Sequence, residues 1–189
     1  MSGFLDRIQP YAKNAAEQLG IDVNFIMAQW AYETANGTNL GSRKYNNLAG
    51  IKYSPSGAGS IGKYQPSDSA HAGYDTLNDF VSDYVRVMKL SYYKDVISTA
   101  TGENNLDNAI LAINKSPYAV QDYNISGFKR YYEQAKTITG TVGSVGKDIK
   151  AEFDKIIEEN DTKKLVAVGA GALLGLSLLS KIGSKKENA

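Results

Sequence analysis

This sequence predicts a mainly helical α+β domain followed by a separate hydrophobic helix near the carboxyl end. Three observations carry that prediction. Apolar residues recur at helical spacing in several segments before residue 138; a stretch rich in Gly, Ser, Asn and Tyr over 36–73 interrupts them; and one long apolar run, LVAVGAGALLGLSLLSKIG, occupies 165–183. At 189 residues the chain has room for one ordinary domain plus an appendage, and such a domain buries a core without staples.

The first helix carries Phe4, Leu5, Ile8, Ala12, Ala15 and Leu19 along one side. Ser2 is its expected cap, Pro10 a point of kinking and Gly20 its end. Asp22 caps a second helix over 23–35, whose Phe25, Ile26, Met27, Trp30 and Ala31 leave it apolar on most sides and therefore buried. Between 36 and 73 only short apolar runs such as 48–51 occur, which predicts loops and a small β-hairpin turning at 57–62. Helical spacing returns with Leu77, Phe80, Val81, Tyr84, Val85 and Met88, then with Leu106, Ile110, Leu111 and Ile113, and again across 128–138. The domain is thus expected to cover 1–138. TGTVGSVG, over 139–146, has the small-residue composition of a flexible linker. Ile149, Phe153, Ile156 and Ile157 repeat among charged residues, giving an amphipathic helix over 147–163; the hydrophobic helix takes 164–183 and a polar tail 184–189.

Composition removes several function classes. With 21 basic and 20 acidic side chains the net charge is +1, so no overall field draws the chain to nucleic acid. The absence of cysteine excludes disulfides, thiolate nucleophiles and the usual zinc sites, and the single histidine, His71, reads as a solvated loop residue. No metal or cofactor is expected. The first twenty residues hold no apolar h-region, so no secretory signal is expected either. GAGSIGKY, over 57–64, satisfies both GxGxxG and part of a phosphate-loop pattern. Tyr64 stands where Ser or Thr would hold magnesium, however, and neither a buried strand before the glycines nor a helix after them is predicted, so a glycine-rich turn is the stronger reading.

Glu33 is the residue that points to chemistry. It closes the most apolar helix, in AQWAYETANG, where an ionised carboxylate is costly and its pKa rises toward neutrality. A protonated Glu beside Trp30 and Tyr32 is what a glycosidase uses to protonate a leaving oxygen. From position alone, an ordinary solvated glutamate at a helix end is the better reading.

The surrounding motif reverses that preference. AQWAYETANGTNLGSRKYNNLAGIKY resembles the core of the glucosaminidase domain of bacterial autolysins, flagellar peptidoglycan hydrolases and phage lysins, within the lysozyme-like superfamily. That family's AQ-x-x-x-E-S-G-x-G run ends in the catalytic glutamate and precedes an NNLFGIK-like segment. Ala28, Gln29, Glu33, Gly37, Asn46, Asn47, Leu48, Gly50, Ile51 and Lys52 fall on this pattern; Thr34, Ala35 and Asn36 depart from it. SAHAGYDTLNDF, with Tyr74 and Asp75, is similar to the family's FRxYDS step, and SPYAVQDYNISGF resembles its GYATDPNYA run at Tyr118, Ala119 and Asp122.

The resemblance implies a lysozyme-like fold and an endo-β-N-acetylglucosaminidase that cuts the β-1,4 backbone of peptidoglycan. It makes Glu33 the general acid and places Tyr118 in the cleft near it. Asp68, in the hairpin region where relatives carry a second acid, is the candidate second carboxylate; substrate assistance helped by Tyr118 is the preferred mechanism. Tyr32, Asn46, Asn47, Tyr74 and Asp122 are the candidate substrate-binding residues. Lytic transglycosylases and muramidases share the fold, and a non-catalytic wall-binding or structural virion protein is the reading from another class. The apolar run is expected to enter a lipid bilayer, with Gly171 and Gly175 as a GxxxG pair for self-association. Together these features suggest a membrane-associated wall hydrolase of a phage particle or host envelope.

Overall fold

The computed structural model describes residues 3–55, 60–64, 71–117 and 122–158. Ile8–Lys136 pack as one compact unit, and Met1–Arg7 with the residues from Thr137 onward group as a second. The first unit holds the site.

Helix α1, Phe4–Leu19, runs through Pro10 without a break and buries Ile8, Ala12, Ala15 and Leu19, the side its spacing selects. Gly20, at φ +69, ends it by donating its N–H to the Ala16 carbonyl at 2.8 Å. The expected cap, Ser2, lies outside the described residues. Helix α2, Val23–Glu33, begins where the Asp22 side chain accepts from the Asn24 N–H, and buries every residue from Phe25 to Ala31. Trp30 sits at its centre, edge-on to Phe80 at 4.9 Å and to Tyr84 at 5.2 Å. The helix is apolar on most sides because protein surrounds it, and its one buried polar side chain, Gln29, has a hydrogen-bond partner in Tyr84.

A short helix α3, Leu40–Lys44, leads into the 45–55 loop. Two strands follow, β1 Ser60–Tyr64 and β2 His71–Tyr74, antiparallel, with Tyr64 opposite His71 and a register irregularity between Ser60 and Gly62. Residues 60–62 belong to a strand, so the hairpin does not turn at 57–62. Ile61 and Tyr64 favour extended backbone, and the glycine interspersed there marks the irregularity rather than the turn. Gly62 and Lys63 sit mid-strand with no helix after them, which disposes of the phosphate-loop pattern.

Helix α4, Leu77–Met88, opens on a Thr76–Asp79 capping box and buries Phe80, Val81, Tyr84, Val85 and Met88. A 3-10 turn at Ser91–Tyr93 and helix α5, Lys94–Thr99, connect it to α6, Leu106–Lys115. Leu111, expected on the apolar face of α6, is 44% exposed, and Ala109 takes the inward position. Helix α7, Ile125–Glu158, buries Phe128, Tyr132 and Ala135, and the Tyr132 hydroxyl donates to Asp22 at 2.5 Å, tying α7 to the start of α2.

Residues 139–146, expected as a flexible linker, are helical and continue α7. Each glycine costs about 1 kcal/mol in a helix interior, but helix already nucleated on one side propagates more cheaply than it starts anew. The amphipathic segment from 147 therefore joins the same helix as far as Glu158. The hydrophobic stretch 164–183 lies outside the described residues; among those described, no helix is long and apolar enough to cross a membrane.

Candidate active site

Glu33 is the last residue of α2, and the chain turns away from it at once. Thr34 caps the helix through its hydroxyl, which donates to the Trp30 carbonyl at 2.6 Å and accepts from the Gly37 N–H at 2.9 Å. Ala35, Asn36 and Gly37 all have positive φ (+48, +57 and +81), a left-handed run that swings the backbone clear of the carboxyl. Asn39 fastens the turn by donating its amide to the Glu33 carbonyl at 3.0 Å while capping α3. The main chain on the carboxyl-terminal side of Glu33 is thus fixed.

Its two oxygens have different surroundings. Oε1 accepts a hydrogen bond from the Tyr123 hydroxyl. Oε2 lies 3.7 Å from where a Cβ on Gly50 would sit. Gly50, at φ +62, brings the 49–54 loop up to the acid with no side chain in between. Burial raises the Glu33 pKa above 4.5, and the Tyr123 hydrogen bond opposes part of that rise. Tyr123 itself is pushed well above its ordinary range by burial and by the neighbouring Glu33 charge, so it remains a hydroxyl donor. One carboxyl oxygen is therefore stabilised as an acceptor while the other is left to carry and deliver a proton.

Tyr123 is fixed from three directions. Its backbone exchanges two hydrogen bonds with the Asn114 side chain on α6, at 2.8 and 3.2 Å. Its ring lies 4.8 Å from Tyr32 and stacks on Phe128 at 5.7 Å. The Gln29 side chain lies near its hydroxyl and opposes part of the rise in the Tyr123 pKa. Gln29 is oriented in turn by the Tyr84 hydroxyl, which donates to Oε1 at 2.6 Å. A buried file of Tyr84, Gln29 and Tyr123 thus runs through the core to the acid.

Glu33 and Tyr123 open into a cleft of about 770 Å³, walled by the 49–54 loop, His71, the end of α4 with the 3-10 turn after it, and residues 117 and 122–124. That volume falls within the range of about 300–1,000 Å³ usual for ligand sites.

The structure distributes the sequence-predicted residues unevenly. Tyr32 and Asp122 line the cleft with Glu33. Asn46, Asn47 and Tyr74 do not, and their side chains hydrogen-bond within the protein. Asn47 is buried, donates to the carbonyls of Ile51 and Ala72 at 2.9 Å each, and accepts from the N–H groups of Ala49 and Ile51. Asn46, left-handed at φ +51, donates to the carbonyls of Tyr74 and Asp75. The Tyr74 hydroxyl donates to buried Asp83 at 2.7 Å, and Arg86, in the cleft wall, donates its Nε to the other oxygen of Asp83 at 2.7 Å. These three residues hold the loop and the hairpin against α4, away from the lining of the cleft. Tyr118 and Asp68 lie outside the described residues. His71, expected as a solvated loop residue, belongs to β2, bridges Lys52 and lines the cleft. Among the described residues no group of three or more His, Cys, Asp or Glu side chains is arranged to hold a metal.

Tyr123 is the residue that sequence reasoning missed. The GYATDPNYA run contains two tyrosines, and so does SPYAVQDYNI; matching only the first of each pair selected Tyr118.

With this geometry in view, residues 9–154 match the family model described as Glucosaminidase, mannosyl-glycoprotein endo-beta-N-acetylglucosaminidase. No curated protein sequence matches. Among solved structures, the glycoside hydrolase domain of FlgJ from Salmonella typhimurium is 23% identical, covers 77% of this chain and 94% of that chain, and superposes with a TM-score of 0.55. A peptidoglycan hydrolase from Sphingomonas sp. A1 gives 20% identity, 73% and 92% coverage and a TM-score of 0.56. The catalytic domain of the autolysin Auto from Listeria monocytogenes gives 18%, 72% and 84%, and 0.52. At these identities the likeness establishes the fold, the mainly helical lysozyme-like fold of glycoside hydrolases.

Proposed function

We propose that this chain, which belongs to the glucosaminidase family, hydrolyses the β-1,4 glycan backbone of peptidoglycan as an endo-β-N-acetylglucosaminidase. Membership makes it a glycosidase; that its structural neighbour from Sphingomonas sp. A1 is a peptidoglycan hydrolase supports the wall glycan as its substrate. The observation that carries the reading is the half-buried Glu33 carboxyl, raised in pKa and paired on one oxygen with Tyr123 in the lining of the cleft.

In this mechanism Glu33 gives the proton on Oε2 to the bridging oxygen as the glycosidic bond breaks, and the carboxylate that results is stabilised by the Tyr123 hydroxyl on Oε1. The 2-acetamido oxygen of the sugar attacks the anomeric carbon as the leaving sugar departs; water then attacks that carbon and displaces the acetamido oxygen, restoring the acetamide, while the Glu33 carboxylate takes the water's proton. Asp122 is the other acid lining the cleft among the described residues, placed to meet polar groups of the sugar. Tyr118, on the segment just before it, remains a further proposed aid to the acetamido group.

Peptidoglycan digested by the chain, reduced with borohydride and analysed by mass spectrometry tests the reaction. Reduced N-acetylglucosamine ends support it; reduced N-acetylmuramic acid ends point to a muramidase, anhydro-muramic ends to a lytic transglycosylase, and no products to a wall-binding or structural virion protein.

The finer proposal is membrane association. As a helix, the uninterrupted run 165–180 would measure about 24 Å, and through 183 about 28 Å, close to a hydrocarbon core of about 30 Å. Lys164 and Lys181 are positioned in sequence to snorkel at its ends, and Gly171 and Gly175 supply a GxxxG pair for pairing two copies. A wall hydrolase so anchored suits phage penetration of the envelope or lysis. Flotation with liposomes checks it: the full chain should float and a version ending at residue 146 should not.

A further inference from the structure

Glu33 accounts for bond cleavage but not for how a glycan strand is held along the cleft. The exposed large apolar side chains among the described residues are Leu40, Tyr92, Leu111 and Ile125. Leu40, Leu111 and Ile125 lie off the cleft, whereas Tyr92, 52% exposed, is in its wall together with Leu90 and Tyr93.

Tyr92 is also held ready. It is the middle residue of the 3-10 turn Ser91–Tyr93, directly after α4, where the Lys89 N–H donates to Val85, the Leu90 N–H to Val87 and the Tyr93 N–H to Leu90. Tyr93 is buried and meets Tyr92 edge-to-face, with centroids 4.7 Å apart and planes at 67°. Tyr93 braces one side of the Tyr92 ring, and about half of the side chain remains accessible in the cleft wall. A tyrosine braced in this way presents flat apolar area at little entropic cost on binding, because only two side-chain torsions remain to be fixed. A pyranose ring offers the complement: a face of C–H groups and a rim of hydroxyls. Arg86, on the helix that feeds this turn, lines the same wall and supplies donors for such a rim.

We infer that Tyr92 is a stacking platform that binds one pyranose ring of the glycan strand at a subsite away from the bond Glu33 cuts. The inference rests on the reading of the cleft as a glycan site and adds to it where a strand is gripped. It makes the chain prefer strands long enough to reach the platform.

The experiment uses the full chain and soluble, purified glycan strands of two lengths, one long and one just spanning the scissile bond, with Tyr92→Ala, Tyr92→Phe and Tyr92→Trp. Because Tyr92 is exposed, the thermal midpoints of the variants serve only to verify folding. Loss of one aromatic stack should lower kcat/KM on the long strand about three- to tenfold, through KM, in Tyr92→Ala. The long-to-short preference should fall by the same factor, and Phe and Trp should restore both. An equal loss on both lengths, a loss confined to kcat, or Tyr92→Ala matching the parent on long strands overturns the platform. A parent chain that cuts neither length, and no peptidoglycan either, instead overturns the glycosidase reading beneath it.

Discussion

Replacing Tyr123 with Phe isolates one hydrogen bond and tests whether it acts on the acid. The substitution removes the hydroxyl that donates to Glu33 Oε1 and keeps the ring that packs on Tyr32 and Phe128. The two backbone bonds to Asn114 are untouched, so the segment stays in place. A hydrogen bond to a charged group contributes about 1.5–3 kcal/mol, and this one is strongest once Glu33 has given up its proton. Losing it from the transition state should lower kcat about ten- to 150-fold. The same bond favours ionised Glu33 and opposes the effect of burial, so its removal raises the Glu33 pKa further. A general acid works while protonated, so the alkaline limb of the kcat profile should move to higher pH even as the maximum falls. Both quantities come from initial rates of reducing-end release from purified peptidoglycan across a pH series. A variant with parental kcat and an unmoved alkaline limb would show that Tyr123 merely packs beside the acid.

Other substitutions probe neighbouring parts of the argument. Glu33→Gln keeps shape but has no proton to give, and should lower turnover by about a hundred- to ten-thousand-fold. Its stability should also change with pH. Because burial raises the folded pKa, the folded parent holds its proton where the unfolded chain has lost it; the Glu33 contribution is full below 4.5 and declines as pH rises through the folded value. Denaturant midpoints of Glu33→Gln should therefore gain on the parent over that interval, and a constant difference would contradict the buried acid. Asn47→Ala removes a side chain that satisfies four backbone groups and should cost about 2–4 kcal/mol in urea unfolding, where a surface substrate contact would cost almost nothing. Asp122→Asn should reduce turnover more than Asp68→Asn under substrate assistance; collapse in Asp68→Asn alone would make that residue the second carboxylate. Ala35→Gly, at φ +48, relieves left-handed strain of about 1–2 kcal/mol and gives back about 0.4–1 kcal/mol through the unfolded chain, so a small rise in the denaturant midpoint is expected and a fall would refute the strain.

The parts of the molecule legible in the sequence are those governed by short periods. Ile8, Ala12, Ala15 and Leu19, and likewise Phe80, Val81, Tyr84, Val85 and Met88, repeat as a helix requires, and the structure buries them together. Glu33 could be singled out only through the motif around it: its place at the end of a helix that buries every residue from Phe25 to Ala31 fits a solvated glutamate as well as a cleft acid, and the AQWAYE and NNLAGIK segments decided between them. The loops were less legible, since their asparagines and tyrosines carry the same chemistry whether they meet a sugar or the backbone. Asn47 turned out to satisfy four backbone groups, and nothing local separates that from four bonds to a ligand. The helical course of 139–146 was hidden for the opposite reason: its glycines argue for a linker, and continuity with the preceding turns outweighs them.

The pairing of Tyr123 with Glu33 lies beyond any local pattern, because it spans 90 positions in the chain. It depends on Asn114 gripping the Tyr123 backbone, on Gly127 admitting the Tyr32 ring, which lies 3.3 Å from where a Cβ on that glycine would be, and on the Asn124 N–H donating to the Tyr32 hydroxyl. The Asn114 contact ties α6 to the segment before α7, and the two Tyr32 contacts join the end of α2 to the beginning of α7. The acid is consequently tuned by how two helices far apart in sequence are pinned together, and a change that loosens that junction should alter the pKa of Glu33 before it unfolds the domain.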